Sequence, residues 1–270
     1  MTNSSDNLKD VCKDIKKIDD CLQIDIISTG VSSDDTLYSD YCPMKNGKKW
    51  QCETNDEKIS AGFIWLLVMF EHLCDEKCSQ NEKDQYVEYA ILWLSYILNQ
   101  ISNEGISTLK DFYTNNIEKN TNYTTHVDNA RDSNYKEIVD NKINSMNMNI
   151  KDIPKFYEAL KTLCNMYTGC NEKKENYTSC SQDAQKFAKH FEGLNQDSSI
   201  TGNSSYRKIL YNLFNDYYNF KNGCAKKCSG CTNIPILPEI KAPASSSIAS
   251  KLIPALLAFS IAFFLGIAYK

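Results

Sequence analysis

The chain has 270 residues, of which 42% are hydrophobic and 24% are charged. That length and composition allow one or two globular domains with a substantial hydrophobic core. The formal net charge is only −4. A charge this small gives no support for a nucleic-acid partner, because proteins that bind nucleic acid usually have a basic face. We therefore expect no such partner.

Helical periodicity dominates the first hundred residues. Residues 28–57 interrupt it; they are rich in Asp, Ser, Lys and Asn, hold two cysteines and predict a disulfide-tied loop. The apolar run Ile59–Cys74 is too short to span a bilayer and predicts a helix buried on all sides. A further helix is predicted over Asp84–Gln100. The first helix of the chain has apolar residues at three- and four-residue steps, which share one face: Leu8, Val11, Cys12, Ile15, Ile18 and Leu22.

The second half of the chain predicts more helices and no strands. Asp152 before Pro154 predicts a helix start, and Gly169 predicts a helix stop. Alternating strand patterns are nearly absent, so the predicted fold class is all-α. The further helices are predicted over residues 109–119, 133–146, 151–166, 182–194 and 205–219.

The C-terminal region changes character twice. Residues 235–250 carry three prolines and a serine triplet, which predicts a semi-extended stalk that is too polar and too rich in proline to join the core. Residues 252–269 contain no charged residue and are just long enough to cross a bilayer, which needs about 20 apolar residues. We therefore divide the chain into a cysteine-rich helical ectodomain (1–231), a Pro/Ser-rich stalk (232–250) and a transmembrane helix (251–270).

A removed lipid-anchor signal is the alternative to a spanning helix. Such a signal has small residues, a polar spacer of roughly 8–12 residues and a hydrophobic tail. The spacer here, residues 248–251, is shorter than that, so we prefer the spanning helix.

The N-terminal segment has no apolar region typical of a cleavable secretory signal. The terminal hydrophobic run is therefore also the expected export signal.

The cysteines form the second strong pattern. Their even number, and their absence from the hydrophobic run, predict disulfides in an oxidising compartment. The pairing stays open, although Cys42 with Cys52 and Cys164 with Cys170 would close local loops. The twelve are Cys12, Cys21, Cys42, Cys52, Cys74, Cys78, Cys164, Cys170, Cys180, Cys224, Cys228 and Cys231. Candidate N-glycosylation triplets begin at Asn3, Asn122, Asn176 and Asn203.

Catalytic patterns are missing from the sequence. The three histidines form no metal-binding pair, the glycines form no phosphate loop, and no nucleophile elbow is present. We expect no enzymatic activity, no cofactor and no small-molecule substrate. The spacing of Cys224, Cys228 and Cys231 can hold zinc or an iron–sulfur cluster, so a membrane-tethered metal-binding protein is the alternative function.

Several segments together resemble the Plasmodium interspersed repeat family of variant antigens, and its rodent-parasite branch in particular. They are the Cys12–Cys21 helix, FIWLLVMFEHLC (63–74), DQYVEYAILWLSYILNQ (84–100), FYEALKTLCNMYTGC (156–170), and the cysteine cluster before Ile234-Pro235 with the terminal hydrophobic helix. The resemblance covers nearly the whole chain.

The resemblance implies a multigene variant antigen that is exported into the infected red cell. It further implies roles in antigenic variation, adhesion to host cells or modulation of immunity. The partners would be a membrane and an unidentified host cell-surface protein or antibody. The family usually carries a short basic tail after the membrane helix, whereas this sequence ends at Lys270, so the orientation in the membrane stays open.

Overall fold

The structure is a computed structural model that describes residues 4–27, 37–43, 52–74, 78–101, 108–146, 153–170, 179–228 and 230–243. Within these ranges the regular structure is helical, without strands, which confirms the all-α prediction. The helices are α1 (Ser4–Ile27), α2 (Asn55–Cys74), α3 (Gln80–Ile101), α4 (Leu109–Phe112), α5 (Thr121–Tyr123), α6 (Tyr135–Ser145), α7 (Ile153–Gly169), α8 (Cys180–Gln196), α9 (Ser198–Thr201) and α10 (Ser204–Asn222).

Two of the long helices begin with a capping box, in which a hydroxyl residue and a glutamate three residues later satisfy each other's backbone N–H groups. Before α2, the N–H of Glu57 donates to Thr54 Oγ1 at 3.2 Å, and the N–H of Thr54 donates to Glu57 Oε2 at 3.2 Å. Before α3, the N–H of Ser79 donates to Glu82 Oε2 at 2.9 Å. The box at Ser79 explains why α3 begins four residues earlier than the apolar pattern predicts.

The first layer of the core is made by α1, α2, α3 and α7. The six apolar residues predicted for one face of α1 are all buried. Every residue from Ile59 to Val68 on α2 is buried, so this part of the helix is enclosed on all sides as predicted, whereas His72 in its last turn is exposed. A Cβ added to Gly62 would lie 3.1 Å from Trp93 Cη2 and 3.2 Å from Ile18 Cδ1. The absent side chain at residue 62 therefore allows α1 and α3 to approach α2 closely.

The second layer is made by α7, α8 and α10, which pack through aromatic rings. Phe156 contacts Tyr206 and Tyr167 contacts Phe220, with ring centroids 5.6 and 5.4 Å apart, so α7 and α10 run in the same direction. The rings of Phe187 on α8 and Tyr217 on α10 stack at 4.9 Å. The aromatic side chains of α10 thus lie mainly in the core, and Tyr211 is the one large hydrophobic side chain of this helix that is exposed, at 43%.

Residues 232–243, which we call the strap, correct the stalk prediction. Leu237 is only 4% exposed and belongs to the hydrophobic core, and Ile234 and Ile240 pack against it. The expectation that this proline-rich stretch stays out of the core is therefore wrong for its first part. Prolines favour an extended chain with three residues per turn, which places every third side chain on one face, as the spacing of Ile234, Leu237 and Ile240 shows.

Among the described residues, no helix is long and apolar enough to cross a membrane. The predicted transmembrane helix (251–270) and the remainder of the predicted stalk (244–250) lie outside the described residues.

Candidate functional site

Five disulfides use ten of the twelve cysteines. Their Cα–Cα distances run from 4.8 to 6.3 Å, within the range that a disulfide requires. The pairs are Cys12–Cys164, Cys42–Cys52, Cys74–Cys78, Cys170–Cys224 and Cys180–Cys231.

The pairing agrees with one of the two local loops suggested by the sequence. Cys42 and Cys52 are joined, whereas Cys164 is joined to Cys12 on α1 and Cys170 to Cys224, just after α10. The prediction of a disulfide at Cys228 is wrong, because this residue carries a free thiol. Cys21 lies on α1, outside these five pairs.

Three of the bridges lie at one end of the helical domain, which we call the bridged end. The Lys9 ammonium on α1 donates to the carbonyl of Cys170 at 2.7 Å. Two residues earlier on the same helix, Asn7 Nδ2 lies 3.9 Å from Cys78 Sγ. Cys170 is joined to Cys224, and its neighbouring pair Cys180–Cys231 ties the start of α8 to the same segment. The bridged end thus gathers the start of α1, the ends of α2, α7 and α10, and the starts of α3 and α8.

The metal-site alternative for Cys224, Cys228 and Cys231 is wrong for this oxidised structure. Cys224 and Cys231 form disulfides with two different partners, and a sulfur in a disulfide is no longer the thiolate that a metal binds. Within the described ranges, no group of three or more His, Cys, Asp or Glu residues is arranged to hold a metal ion.

The histidines have separate surroundings. His72 is exposed, with Nε2 3.8 Å from Glu71 Oε2, so it is a rim histidine. His126 meets the ring of Tyr41 edge-on, with centroids 5.2 Å apart. Partial burial, together with the nearby Lys186, lowers the pKa of His190. In the part of the chain that the structure describes, these contacts bring no histidine to a serine or cysteine nucleophile.

Buried polar side chains join the helices from inside, and sequence reasoning missed them. Asp19 on α1 accepts hydrogen bonds from Trp93 Nε1 on α3 at 3.0 Å and from the Tyr157 hydroxyl on α7 at 2.9 Å. Burial raises the pKa of Asp19, and Lys161, 3.5 Å away, opposes that rise. One carboxylate therefore ties three helices together.

A second polar contact joins α3, α6 and α10. Lys142 Nζ on α6 lies 2.9 Å from Glu88 Oε2 on α3, and both residues are buried. Asn212 Nδ2 on α10 donates to the other carboxylate oxygen of Glu88 at 3.0 Å. A buried ion pair stabilises a fold only when its remaining polar atoms find partners, and here Asn212 supplies one.

Asp216 on α10 is a third buried carboxylate. The Tyr89 hydroxyl and Gln85 Nε2 both donate to its Oδ2 atom, and the Tyr167 hydroxyl donates to its backbone carbonyl at 2.8 Å. Burial raises the pKa of Asp216 to about 7, although the hydrogen bonds from Tyr89 and Gln85 lower it. These groups link α3, α7 and α10.

The predicted glycosylation residues differ in how exposed they are to solvent. Asn122 is only 2% exposed, and its Nδ2 atom donates to the carbonyl of Cys42 at 2.9 Å, so it is not available to a glycan in the folded protein. Asn203 is exposed, and its Oδ1 atom caps α10 by accepting from the N–H groups of Ser205 and Tyr206. Asn3 and Asn176 lie outside the described residues.

The comparison with known families agrees with this architecture. The family model described as Plasmodium variant antigen protein Cir/Yir/Bir matches residues 12–270, nearly the entire chain. This chain belongs to that family. A solved structure described as a Plasmodium PIR protein ectodomain is 60% identical, with a TM-score of 0.67, and the match covers 87% of this chain and 99% of that one. No curated protein matches. The family resemblance noted in the sequence is thus confirmed.

Proposed function

We propose that this family member is a non-enzymatic variant surface antigen, exported to the infected red cell and held there on a membrane by residues 252–269. Membership of the Cir/Yir/Bir family, together with the 60% identical PIR ectodomain, is the observation that carries the proposal. The roles we propose are antigenic variation, adhesion to a host cell-surface protein, and modulation of the immune response.

The chemistry of the helical domain supports this function. Five disulfides suit a domain that works in an oxidising or extracellular compartment. The buried carboxylates are occupied by contacts between helices, as at Asp19 and Asp216. The domain therefore has the properties of a stable scaffold that presents a surface, and the partner would be a protein or antibody that reads that surface.

Localisation tests the first half of the proposal. Antibodies raised against the folded chain should label intact, non-permeabilised infected red cells, and the protein should resist extraction with alkaline carbonate. Labelling that appears only after permeabilisation of the parasite itself would contradict export to the red-cell surface. Release by a phospholipase specific for lipid anchors would favour the lipid-anchor alternative over a spanning helix.

Binding tests the second half. The full chain, displayed in lipid vesicles with its disulfides intact, should bind at least one protein in a screen of red-cell and leukocyte surface receptors. A reduced and alkylated sample is the matched control, because it has the same sequence without the bridged scaffold. Equal binding by the two samples would argue against recognition of the folded domain.

A further inference from the structure

The strap is held against α8 and α10 along its length. Near its start, the Tyr217 hydroxyl on α10 donates to the carbonyl of Pro235 at 2.8 Å. Near its end, Asn195 on α8 binds the strap twice: Nδ2 donates to the carbonyl of Glu239 at 2.9 Å, and Oδ1 accepts from the N–H of Lys241 at 2.8 Å. Between these points the side chain of Leu237 is buried.

The strap crosses the domain from one end to the other. It begins after Cys231, which is joined to Cys180 at the start of α8 and so lies at the bridged end. It ends beside Asn195, near the last residue of α8. Fifteen residues of α-helix separate Cys180 from Asn195, which corresponds to about 22 Å. The chain therefore leaves the domain at the end opposite the bridged end.

Docking of the strap also shortens the connection to the hydrophobic run. Without it, residues 232–251 would be free, and twenty extended residues reach about 70 Å. With the strap docked, only residues 244–251 separate the domain from Leu252, and eight residues reach about 28 Å at most. A short connection that leaves from one fixed point restricts how the domain can turn.

We propose that the strap sets the orientation of the domain on the membrane, so that the bridged end points away from the bilayer. This inference rests on the membrane attachment in the proposed function. The exit point lies beside α9 and the start of α10, and that end faces the bilayer. The exposed Lys226 lies at the bridged end, and the exposed Ser204 lies at the membrane end.

The first experiment asks whether the strap is docked in the full chain. Hydrogen exchange on the chain in lipid vesicles should show slow exchange of the Lys241 amide, because that N–H donates to Asn195. Leu237→Asp should release the strap and speed this exchange many-fold. Ile236→Asp is the matched control, since Ile236 is 81% exposed and should leave exchange unchanged. Asn195→Ala is a second releasing variant if Leu237→Asp does not fold. Rapid exchange in the unsubstituted chain would overturn the proposal.

The second experiment measures orientation. A fluorescent amino acid is placed at Lys226 or at Ser204, and its quenching by an acceptor dye in the vesicle surface is recorded. We expect stronger quenching at Ser204 than at Lys226, a difference that Leu237→Asp abolishes and Ile236→Asp preserves. Equal quenching at the two positions, with the chain retained in the vesicles, would overturn the orientation alone. A chain that does not stay in the vesicles would overturn the membrane attachment and the orientation with it, while the Lys241 amide would still report docking.

Discussion

At the scale of single residues, buried carboxylates make specific contacts between helices. Asp19, Glu88 and Asp216 come from α1, α3 and α10, and each is hydrogen-bonded to side chains of other helices. Burial alone would make such groups costly, so their hydrogen bonds are needed to keep the interior stable. Their protonation therefore affects the stability of the fold, and Asp216 gives the clearest case.

Asp216 should make the folded state less stable as the pH rises from about 4 to about 7. Its pKa is raised to about 7 in the folded protein from an ordinary value of 3.8, so the folded state holds a proton that the unfolded state has already lost. The stabilisation is complete below the ordinary pKa and is lost as the pH rises through the folded pKa. By the usual conversion, the loss is about 4 kcal/mol at most.

Asp216→Asn should remove this part of the pH dependence. An asparagine oxygen in place of Oδ2 still accepts from Tyr89 and Gln85, so the hydrogen bonds remain while the titration disappears. Urea unfolding of both proteins between pH 4 and pH 8 measures the effect. As the pH rises, the unfolding free energy of the unsubstituted protein should fall relative to that of the Asp216→Asn variant. Parallel pH profiles for the two proteins would count against a raised pKa at Asp216.

Glycosylation should distinguish the two described triplets. Asn203 is exposed, whereas the Asn122 amide is buried against Cys42. When the chain is made in a eukaryotic secretory host, peptide mapping of the folded fraction should find glycan at Asn203 and none at Asn122. Asn203→Gln should remove the glycan and the matching mass. A glycan at Asn122 in folded protein would contradict the described position of that side chain.

At the scale of elements, α2 owes its central position to a residue without a side chain. Ile18 and Trp93 close over Gly62 from two other helices. Glycine weakens a helix by about 0.8–1.0 kcal/mol relative to alanine, so this closeness of packing has a local cost. Gly193 on α8 provides a comparison, because it is exposed and nothing lies within 4 Å of a Cβ added there.

The two glycines should respond in opposite directions to a larger side chain. Gly193→Ala should raise the unfolding free energy by about 0.5–1 kcal/mol, since only helix propensity changes. Gly62→Leu should lower it by about 1–3 kcal/mol or more, because the side chain would have to displace Ile18 and Trp93. Denaturant unfolding of both variants tests this. A neutral Gly62→Leu would mean that α1 and α3 are not packed closely against α2.

Sequence periodicity predicted the long helices well because each buries an apolar stripe, as α1 shows. It missed α5 and the π-helical turn Thr124–Asp128, which have too few turns to establish a period. The strap was misjudged for a related reason, since its core-facing residues Ile234, Leu237 and Ile240 recur at every third position, which is the period of neither an α-helix nor a strand. The partners of Asp19 and Asp216 lie on helices distant in sequence, and a single sequence carries no sign of such contacts.

At the scale of the whole molecule, the disulfides differ greatly in how much chain they enclose. Cys12–Cys164 joins residues 152 apart and fastens α1 to α7, whereas Cys42–Cys52 joins residues only 10 apart. A cross-link removes more freedom from the unfolded chain when the enclosed loop is longer. The same bond type should therefore contribute unequally to the stability of the domain.

Removing the long bridge should cost more than removing the short one. In the loop-entropy treatment, the Cys12→Ala/Cys164→Ala double variant loses about 5 kcal/mol, and Cys42→Ala/Cys52→Ala loses about 3 kcal/mol. Cys12, Cys42 and Cys164 are nearly fully buried, whereas Cys52 is only partly buried, so packing should add to the larger loss expected for the Cys12–Cys164 pair. Denaturant unfolding without reductant gives both values, and repeating it with reductant should remove most of the difference between the variants. Equal losses without reductant would mean that the length of the loop closed by Cys12–Cys164 adds no stability. Packing and the contacts of Asp19 would then account for the link between α1 and α7.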